Sequence, residues 1–347
     1  MKPMSTGIIA YLNMYFKQEG WNFGTKLVEN SAPFISHHVK IRVRLNRKGF
    51  FMKFISYIYD GKEDYGIFNN NSIIPMTNLL KYLGKEVPKT LLDFIRIYSD
   101  SLIQDLESIL SKEDIENIPY DHVKVTAPIP YPRRNVFCLG KNYREHAMEV
   151  KSLPSGSKAI PDFPIYFTKV ADPCIGHMDK VKIPKEYTEK IDYEVELAIV
   201  IGKDGKDIPR EKAEEYIFGY TIANDITARD IQKKHSQWHK GKSLDTFLPV
   251  GPYIVHKSQI GLPVELDISC KVNGELRQKS NTRELIFDIP YIISDLSKGL
   301  TLRAGDIILT GTPAGVGMGF DPPKFLKAGD VVECYIEKIG RLVNYIE

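Results

Sequence analysis

The sequence predicts a mainly β, α+β fold, on three observations. After residue 134 the chain runs as a succession of short apolar or alternating segments divided by turn residues, with only a few helical stretches between them. The pair Asn273-Gly274 sits between two alternating segments, which is the chemistry of a tight β-hairpin. The glycine-rich stretch TGTPAGVGMG (310–319) has neither the GxGxxG nor the GKS/T phosphate pattern at the right place, so a βαβ nucleotide-binding unit is not expected.

Taken in order, residues 1–51 show no clear period and form an N-terminal extension, or an over-extended start before Met52. From Met52 the pattern KFISYIYD, GKED, YGIFN, Asn-Asn, SIIPM reads as a small antiparallel meander. Helices are expected near Thr77–Leu83 and Lys89–Leu110, which makes 52–125 a small α+β N-terminal domain. The Pro-rich APIPYPRR (127–134) reads as a linker. Residues 126–347 then form the catalytic domain, with strands in NVFCLG, PIYFTK, YEVELAIVIG, FGYTIAND, PVGPYIV, ELDISCKVNGELRQ, DIILTGTP and VVECYIEKIG. Its helices are expected at Arg144–Val150, Arg210–Tyr216 and Ile289–Lys298, the last stopped by Gly299.

Composition narrows the function classes. Of 347 residues, 43% are hydrophobic and 26% charged, with a net charge of +3, and no basic run is interleaved with aromatics. Nucleic acid is therefore not an expected partner. No apolar run approaches the ~20 residues of a membrane span, and GIIAYLNMYF near the N-terminus lacks the cleavage site of a signal peptide. The four cysteines are far apart and form no CxxC, so buried free thiols in a reducing cytoplasm are expected.

Four stretches carry chemistry. In IDYEVELAIVIG (191–202), strand alternation puts Tyr193, Val195, Leu197 and Ile199 on one face and Asp192, Glu194 and Glu196 on the other. Such a face is either a solvated edge or a cation site, and the apolar flanks favour the cation. Asp225, ending the strand FGYTIAND, is the natural third carboxylate. An all-oxygen shell of Glu194, Glu196 and Asp225 suits Mg²⁺ or Mn²⁺ rather than zinc, and Asp192 is expected outside that shell, at the rim. In GKNYREHAMEV (140–150), His146 and Glu149 share a helical face; they are either a surface pair or a carboxylate-oriented base that activates water. The following KSLPSGSKAIPDFP suits either a mobile lid or a plain surface loop. In TARDIQKKHSQWHKGKSLD, Arg229, Gln232 and Lys242 suit a carboxylate or oxo group, whereas His235 and His239 read as a solvated helix face. In LTGTPAGVG, Gly311, Gly315 and Gly317 admit close backbone approach and Thr312 offers a hydroxyl and an amide, or the stretch is simply a tight turn.

The order of these stretches, GKNYREHAMEV, YEVELAIVIG, GYTIANDITARDIQ, GKSLDTFLPVGP, NGELRQ and GDIILTGTPAGVG, resembles the fumarylacetoacetate hydrolase family over about residues 126–347. The resemblance implies a mixed β-sandwich roll, a homodimer, and a Mg²⁺ or Mn²⁺ site at Glu194, Glu196 and Asp225. It implies a water-activating dyad at His146 and Glu149, with Lys242, Arg229, Gln232 and Thr312 lining the ligand pocket. The wording IANDITARDIQ…GKSLDT…GVGMGFDPPKFL is similar to bacterial members that decarboxylate oxaloacetate. The expected activity is cleavage of the C3–C4 bond of a 2-oxo acid through a metal-stabilised enolate, by oxaloacetate decarboxylation or acylpyruvate-type hydrolysis. The alternatives are an isomerase or tautomerase of an unsaturated 2-oxo dioate, and a binding protein for 2-oxo acids without turnover.

Overall fold

The computed structural model describes residues 51–112, 115–149 and 160–347. The N-terminal extension up to residue 50 and most of the expected lid, 150–159, lie outside the described residues. The observed class is the expected one: a mixed fold dominated by strands, with short helices between them.

Among the described residues two sheets carry the architecture. The larger has eleven strands. Its path runs from Ile118–Pro119 through Ser72–Pro75, Lys62–Asn69, Lys53–Tyr59, Val250–His256, Ile217–Asn224, Val195–Ile201, Ile307–Leu309 and Val136–Gly140 to Ile165–Lys169, and the eleventh strand, Lys124–Val125, pairs with Lys53–Tyr59 off this path. The meander predicted from Met52 is thus hydrogen-bonded into the same sheet as the strands after residue 134, through Lys53–Tyr59 against Val250–His256. The second sheet orders Glu275–Asn281, Asp267–Val272, Val331–Ile336, Gly340–Ile346 and Lys180–Val181. Asn273 and Gly274, both at positive φ, make its hairpin turn, as the sequence predicts.

The strand Val195–Ile201 lies inside the large sheet and is buried along its whole length. Val195, Leu197, Ile199 and Ile201 pack toward Ile268, Val272, Val332 and Ile336 of the second sheet. Ala198 and Val200 belong to the opposite core, with Phe54, Ile67, Phe218 and the helical residues Leu80, Leu91, Phe94 and Leu106. A layer of helices over one face and a sheet over the other explains the near-continuous apolar run.

Local chemistry adjusts several sequence expectations. The predicted helix Lys89–Leu110 is two helices, Leu91–Ile97 and Asp100–Lys112. Thr90 caps the first by accepting from the Asp93 N–H, and the Ser99 hydroxyl accepts from the Leu102 N–H to start the second. The segment Arg210–Tyr216 winds as a 3-10 helix. The Pro-rich 127–134 is packed rather than free: Ala127 and Ile129 are buried, Ser56 donates to the Pro128 carbonyl, and Arg134 pairs with Asp306. All four cysteines are buried free thiols. No helix among the described residues is long and apolar enough to cross a membrane.

One buried titratable group makes the fold sensitive to acid. His256 packs edge-on against Phe54 and Phe218, and its Nδ1 accepts from the Ser258 N–H, so the ring is held neutral. Burial, with Lys257 adding to it, depresses its pKa to about 4. A depressed histidine contributes stability that is complete above the unfolded value near 6.5 and is lost as pH falls toward the folded value. Denaturant titrations at pH 7 and 4.5 are therefore expected to show wild type losing about 1–3 kcal/mol more than His256→Asn, which keeps an acceptor for Ser258 and cannot titrate. Equal losses in the two proteins would remove His256 as the cause.

Candidate active site

The acidic stretch is not one strand. Ile191–Asp192 forms a two-residue strand paired with Thr227–Ala228, and the longer strand begins only at Val195. The break at 193–194 turns three alternating carboxylates to two different tasks.

Glu194, Glu196 and Asp225 converge. Each offers a carboxylate oxygen within 4.8 Å of the others, and all three are buried. Adjacent strands bring them together: Val195 pairs with Asn224, Glu196 with Ala223, and the Asp225 N–H donates to the Glu194 carbonyl at 2.8 Å. Among the described residues this is the one His/Cys/Asp/Glu group with the geometry to hold a metal ion.

Asp192, expected at the rim, is fully buried. It accepts from Arg229 Nε at 2.8 Å, from the Gly317 N–H at 2.6 Å and from the Met318 N–H at 3.0 Å. It joins the strand to Arg229 and to the glycine-rich loop, a task that only a buried acceptor with two oxygens performs. Arg229 in turn reaches Glu194 Oε1 at 2.7 Å and donates to Gln232 Oε1 at 3.1 Å.

Two ammonium groups sit among the carboxylates. Lys242 Nζ donates to Glu194 at 2.9 Å, Asp225 at 2.5 Å and Thr227 at 3.0 Å. Lys169, which sequence reasoning missed, is wholly buried, pairs with Asp225 Oδ1 at 2.6 Å and donates to the Ile226 carbonyl. It ends a short apolar strand, and nothing nearby in sequence marks its acidic partner. Burial alone would raise Glu194, but Lys242, then Arg229, hold it below the usual carboxylate range. Glu196 goes the other way. Burial, then the charges of Asp225 and Glu194, push it well above that range, and its one hydrogen-bond donor is the Gly311 N–H at 2.6 Å.

The charge balance tests whether a cation fits. Four buried carboxylates (Asp192, Glu194, Glu196, Asp225) face three buried cations (Arg229, Lys242, Lys169), and the deficit falls on Glu196. A hard divalent ion matches the oxygen donors and corrects the deficit. A divalent cation therefore suits this cluster, whereas the donor set does not choose between magnesium and manganese.

The remaining predicted residues surround the same cavity. It is lined by His146, Glu194, Glu196, Arg229, Gln232, Lys242 and Thr312, with Trp238 and Phe167 as its aromatic wall. His146 lies on the short helix Arg144–Glu149, and its Nδ1 meets Glu149 Oε2 at 3.2 Å. Glu149 is fixed from behind by the Gly315 N–H at 3.0 Å. Gly315 has φ +100°, and a Cβ on Gly319 would overlap the Glu149 carboxylate, so the loop needs glycine at both positions. The Thr312 hydroxyl is committed elsewhere: it donates to the Val195 carbonyl and accepts from Gln278 Nε2. His239 bonds the Thr168 carbonyl and His235 is exposed, so neither belongs to the cavity.

Comparison with known proteins gives consistent results. The family model for the fumarylacetoacetate hydrolase C-terminal domain matches residues 135–347. The chain is 55% identical over 225 residues to oxaloacetate tautomerase YisK of Bacillus subtilis, covering 65% of this chain and 73% of that one. Among solved structures it resembles a fumarylacetoacetate hydrolase from psychrophilic Exiguobacterium antarcticum, with 38% identity, a TM-score of 0.71, and coverage of 85% and 99% of the two chains. It also resembles maleylpyruvate hydrolase from Sphingobium sp. SYK-6 in complex with manganese(II) and pyruvate, with 27% identity, a TM-score of 0.68, and coverage of 85% and 98%.

The role of Asp192 is open to direct measurement. Asp192→Ala leaves Arg229 partly unpaired and strips two loop N–H groups of their acceptor. A loss of about 3–5 kcal/mol is expected in urea titration, with a smaller loss for Asp192→Asn, which keeps one acceptor oxygen. A loss under about 1 kcal/mol for Asp192→Ala would show that the loop is held by other contacts.

Proposed function

Because the chain belongs to the fumarylacetoacetate hydrolase family, we propose that it is a divalent-metal-dependent enzyme that interconverts the enol and keto forms of a 2-oxo dicarboxylate, with oxaloacetate as the leading substrate. The observation that carries this reading is the meeting of Glu194, Glu196, His146, Arg229, Gln232 and Lys242 in one cavity, with Asp225 against the two glutamates and Glu149 against His146. The 55% identity to an oxaloacetate tautomerase supports proton transfer over bond cleavage. This shifts weight from the C3–C4 cleavage expected at first to the tautomerase alternative.

Glu194, Glu196 and Asp225 are the residues that would hold the ion. When bound, Mg²⁺ or Mn²⁺ supplies Lewis acidity that lowers the cost of negative charge on the 2-oxo oxygen. The protein supplies the rest. Arg229 fixes the Gln232 amide by its oxygen, which leaves Gln232 Nε2 as a donor for a substrate carboxylate. Thr312, its hydroxyl already committed, offers its backbone N–H. The bond from Nδ1 to Glu149 orients the His146 ring and leaves Nε2 to carry a proton. In the forward direction the enol O–H proton leaves, the C2=C3 double bond becomes C2=O, and C3 receives one proton. No other atom enters or departs.

A second reading keeps C3–C4 cleavage, by decarboxylation or by His146-activated water. The likeness to maleylpyruvate hydrolase supports it. It shares the same residues and differs only in what leaves C3.

The test is turnover of metal-stripped protein with Mn²⁺ or Mg²⁺ restored, following enol loss and CO₂ release from oxaloacetate and pyruvate release from an acylpyruvate. Metal-restored enol loss without CO₂ is expected. Glu194→Ala and Glu196→Ala are expected to abolish both metal binding and turnover, and His146→Ala to lower kcat about 10²- to 10⁴-fold with metal binding intact. Full activity after removal of all metal would overturn the proposal, and faster release of CO₂ or pyruvate would select the second reading.

A further inference from the structure

The cavity contains a cation with no counter-ion. Arg229 is paired with Asp192 and Glu194, Lys242 with Glu194 and Asp225, and His146 with Glu149. Lys141 also lines the cavity and is only 4% exposed, yet among the described residues it has no acidic partner and no side-chain hydrogen bond. Its ammonium, which is not itself cut off from solvent, is left free to pair with an anion that enters the cavity.

The backbone holds Lys141 in place. It lies in the turn between the strand Val136–Gly140 and the helix Arg144–Glu149, at φ +55°, in the left-handed region that lysine rarely adopts. The next residue, Asn142, is buried and clamped on both sides. Its Nδ2 donates to the carbonyls of Thr310 and Phe287, and its Oδ1 accepts from the Phe287 N–H. On the other side Gly140 lies against the Trp238 ring, so closely that a Cβ would overlap it. The turn therefore fixes the Lys141 backbone beside the cavity. Burial also lowers the Lys141 ammonium from the ordinary lysine value, as expected of a cation awaiting its anion.

We propose that Lys141 is a specificity-determining residue that binds the distal carboxylate of a 2-oxo dicarboxylate substrate. The inference rests on the reading of the cavity as a 2-oxo acid site and deepens it by naming what separates a dicarboxylate from a monocarboxylate. The carboxylate and 2-oxo group at one end face the acidic cluster with Arg229, Gln232 and Thr312. The second carboxylate pairs with Lys141, a lining cation that has no acidic partner among the described residues. Charge-assisted pairing at this largely covered side chain gives the preference.

The experiment measures binding to the Mn²⁺-loaded full chain by stopped-flow fluorescence of Trp238, which lines the same cavity. The ligands are oxaloacetate and 2-oxobutyrate, matched in carbon number and differing in the distal carboxylate. Wild type is expected to bind oxaloacetate at least about tenfold more tightly. Lys141→Met and Lys141→Asn are expected to weaken oxaloacetate alone and erase the preference, while Lys141→Arg retains it. Asn accepts the left-handed backbone and guards against a variant that fails to fold. Equal binding of the two ligands by wild type, or equal loss of both in Lys141→Asn, would overturn the assignment. Oxaloacetate turnover is followed alongside. If wild type shows the Lys141-dependent preference but no turnover, the proposed reaction fails and the role of Lys141 stands.

Discussion

The site depends on balancing the charge of four carboxylates held away from water. Asp192, Glu194, Glu196 and Asp225 are all nearly or wholly removed from solvent, a position that ordinarily protonates an acid or unfolds the protein. The chain meets this with buried cations placed one against another: Arg229 bridges Asp192 and Glu194, Lys242 bridges Glu194 and Asp225, and Lys169 closes the far side of Asp225. Each charge is oriented by the next, so the cluster is preorganised rather than assembled when a ligand arrives. The remaining deficit is concentrated on Glu196, where burial and the neighbouring carboxylates Asp225 and Glu194 raise the pKa.

The fold exists around that constraint in a specific way. A strand buried on both faces is the only kind of strand whose end can carry acids into a dry interior, and Val195–Ile201 is such a strand. Its apolar stem is held between the second sheet and the helices that follow the N-terminal meander. The glycine-rich loop after Ile307–Leu309 then supplies backbone N–H groups to Glu196, Glu149 and Asp192. One loop thereby positions the acidic cluster, the His146–Glu149 pair and the Arg229 support together.

Much of the site was legible in the sequence because its signals are local. Glu194 and Glu196, two residues apart where an apolar strand begins, read as neighbours on one side of the chain. His146 and Glu149 are one turn apart on a helix, and Asn273-Gly274 fixes a hairpin by its own backbone preference. The four dispersed cysteines likewise carried their reading as free thiols in their spacing alone. These conclusions follow from the geometry of an isolated segment, so the sequence by itself determined the nearness of Glu194 to Glu196, the His146–Glu149 contact and the fold class.

What only the tertiary structure decided are relations between segments far apart in the chain. Asp192 meets the Gly317 N–H across 125 residues, and Lys169 meets the Ile226 carbonyl and the adjacent Asp225 across more than fifty. No local period encodes either contact. The break of the acidic strand at residues 193–194 depends on the pairing of Ile191–Asp192 with Thr227–Ala228. The commitment of the Thr312 hydroxyl depends on Gln278, from the second sheet. Lys141 is the clearest case. In sequence it is one more lysine in a turn, and only the packing of Asn142 and Trp238 around that turn makes it a mostly covered cavity residue with no acidic partner among the described residues. Burial and pairing are properties of the assembled chain, because each depends on which distant groups arrive at the same point.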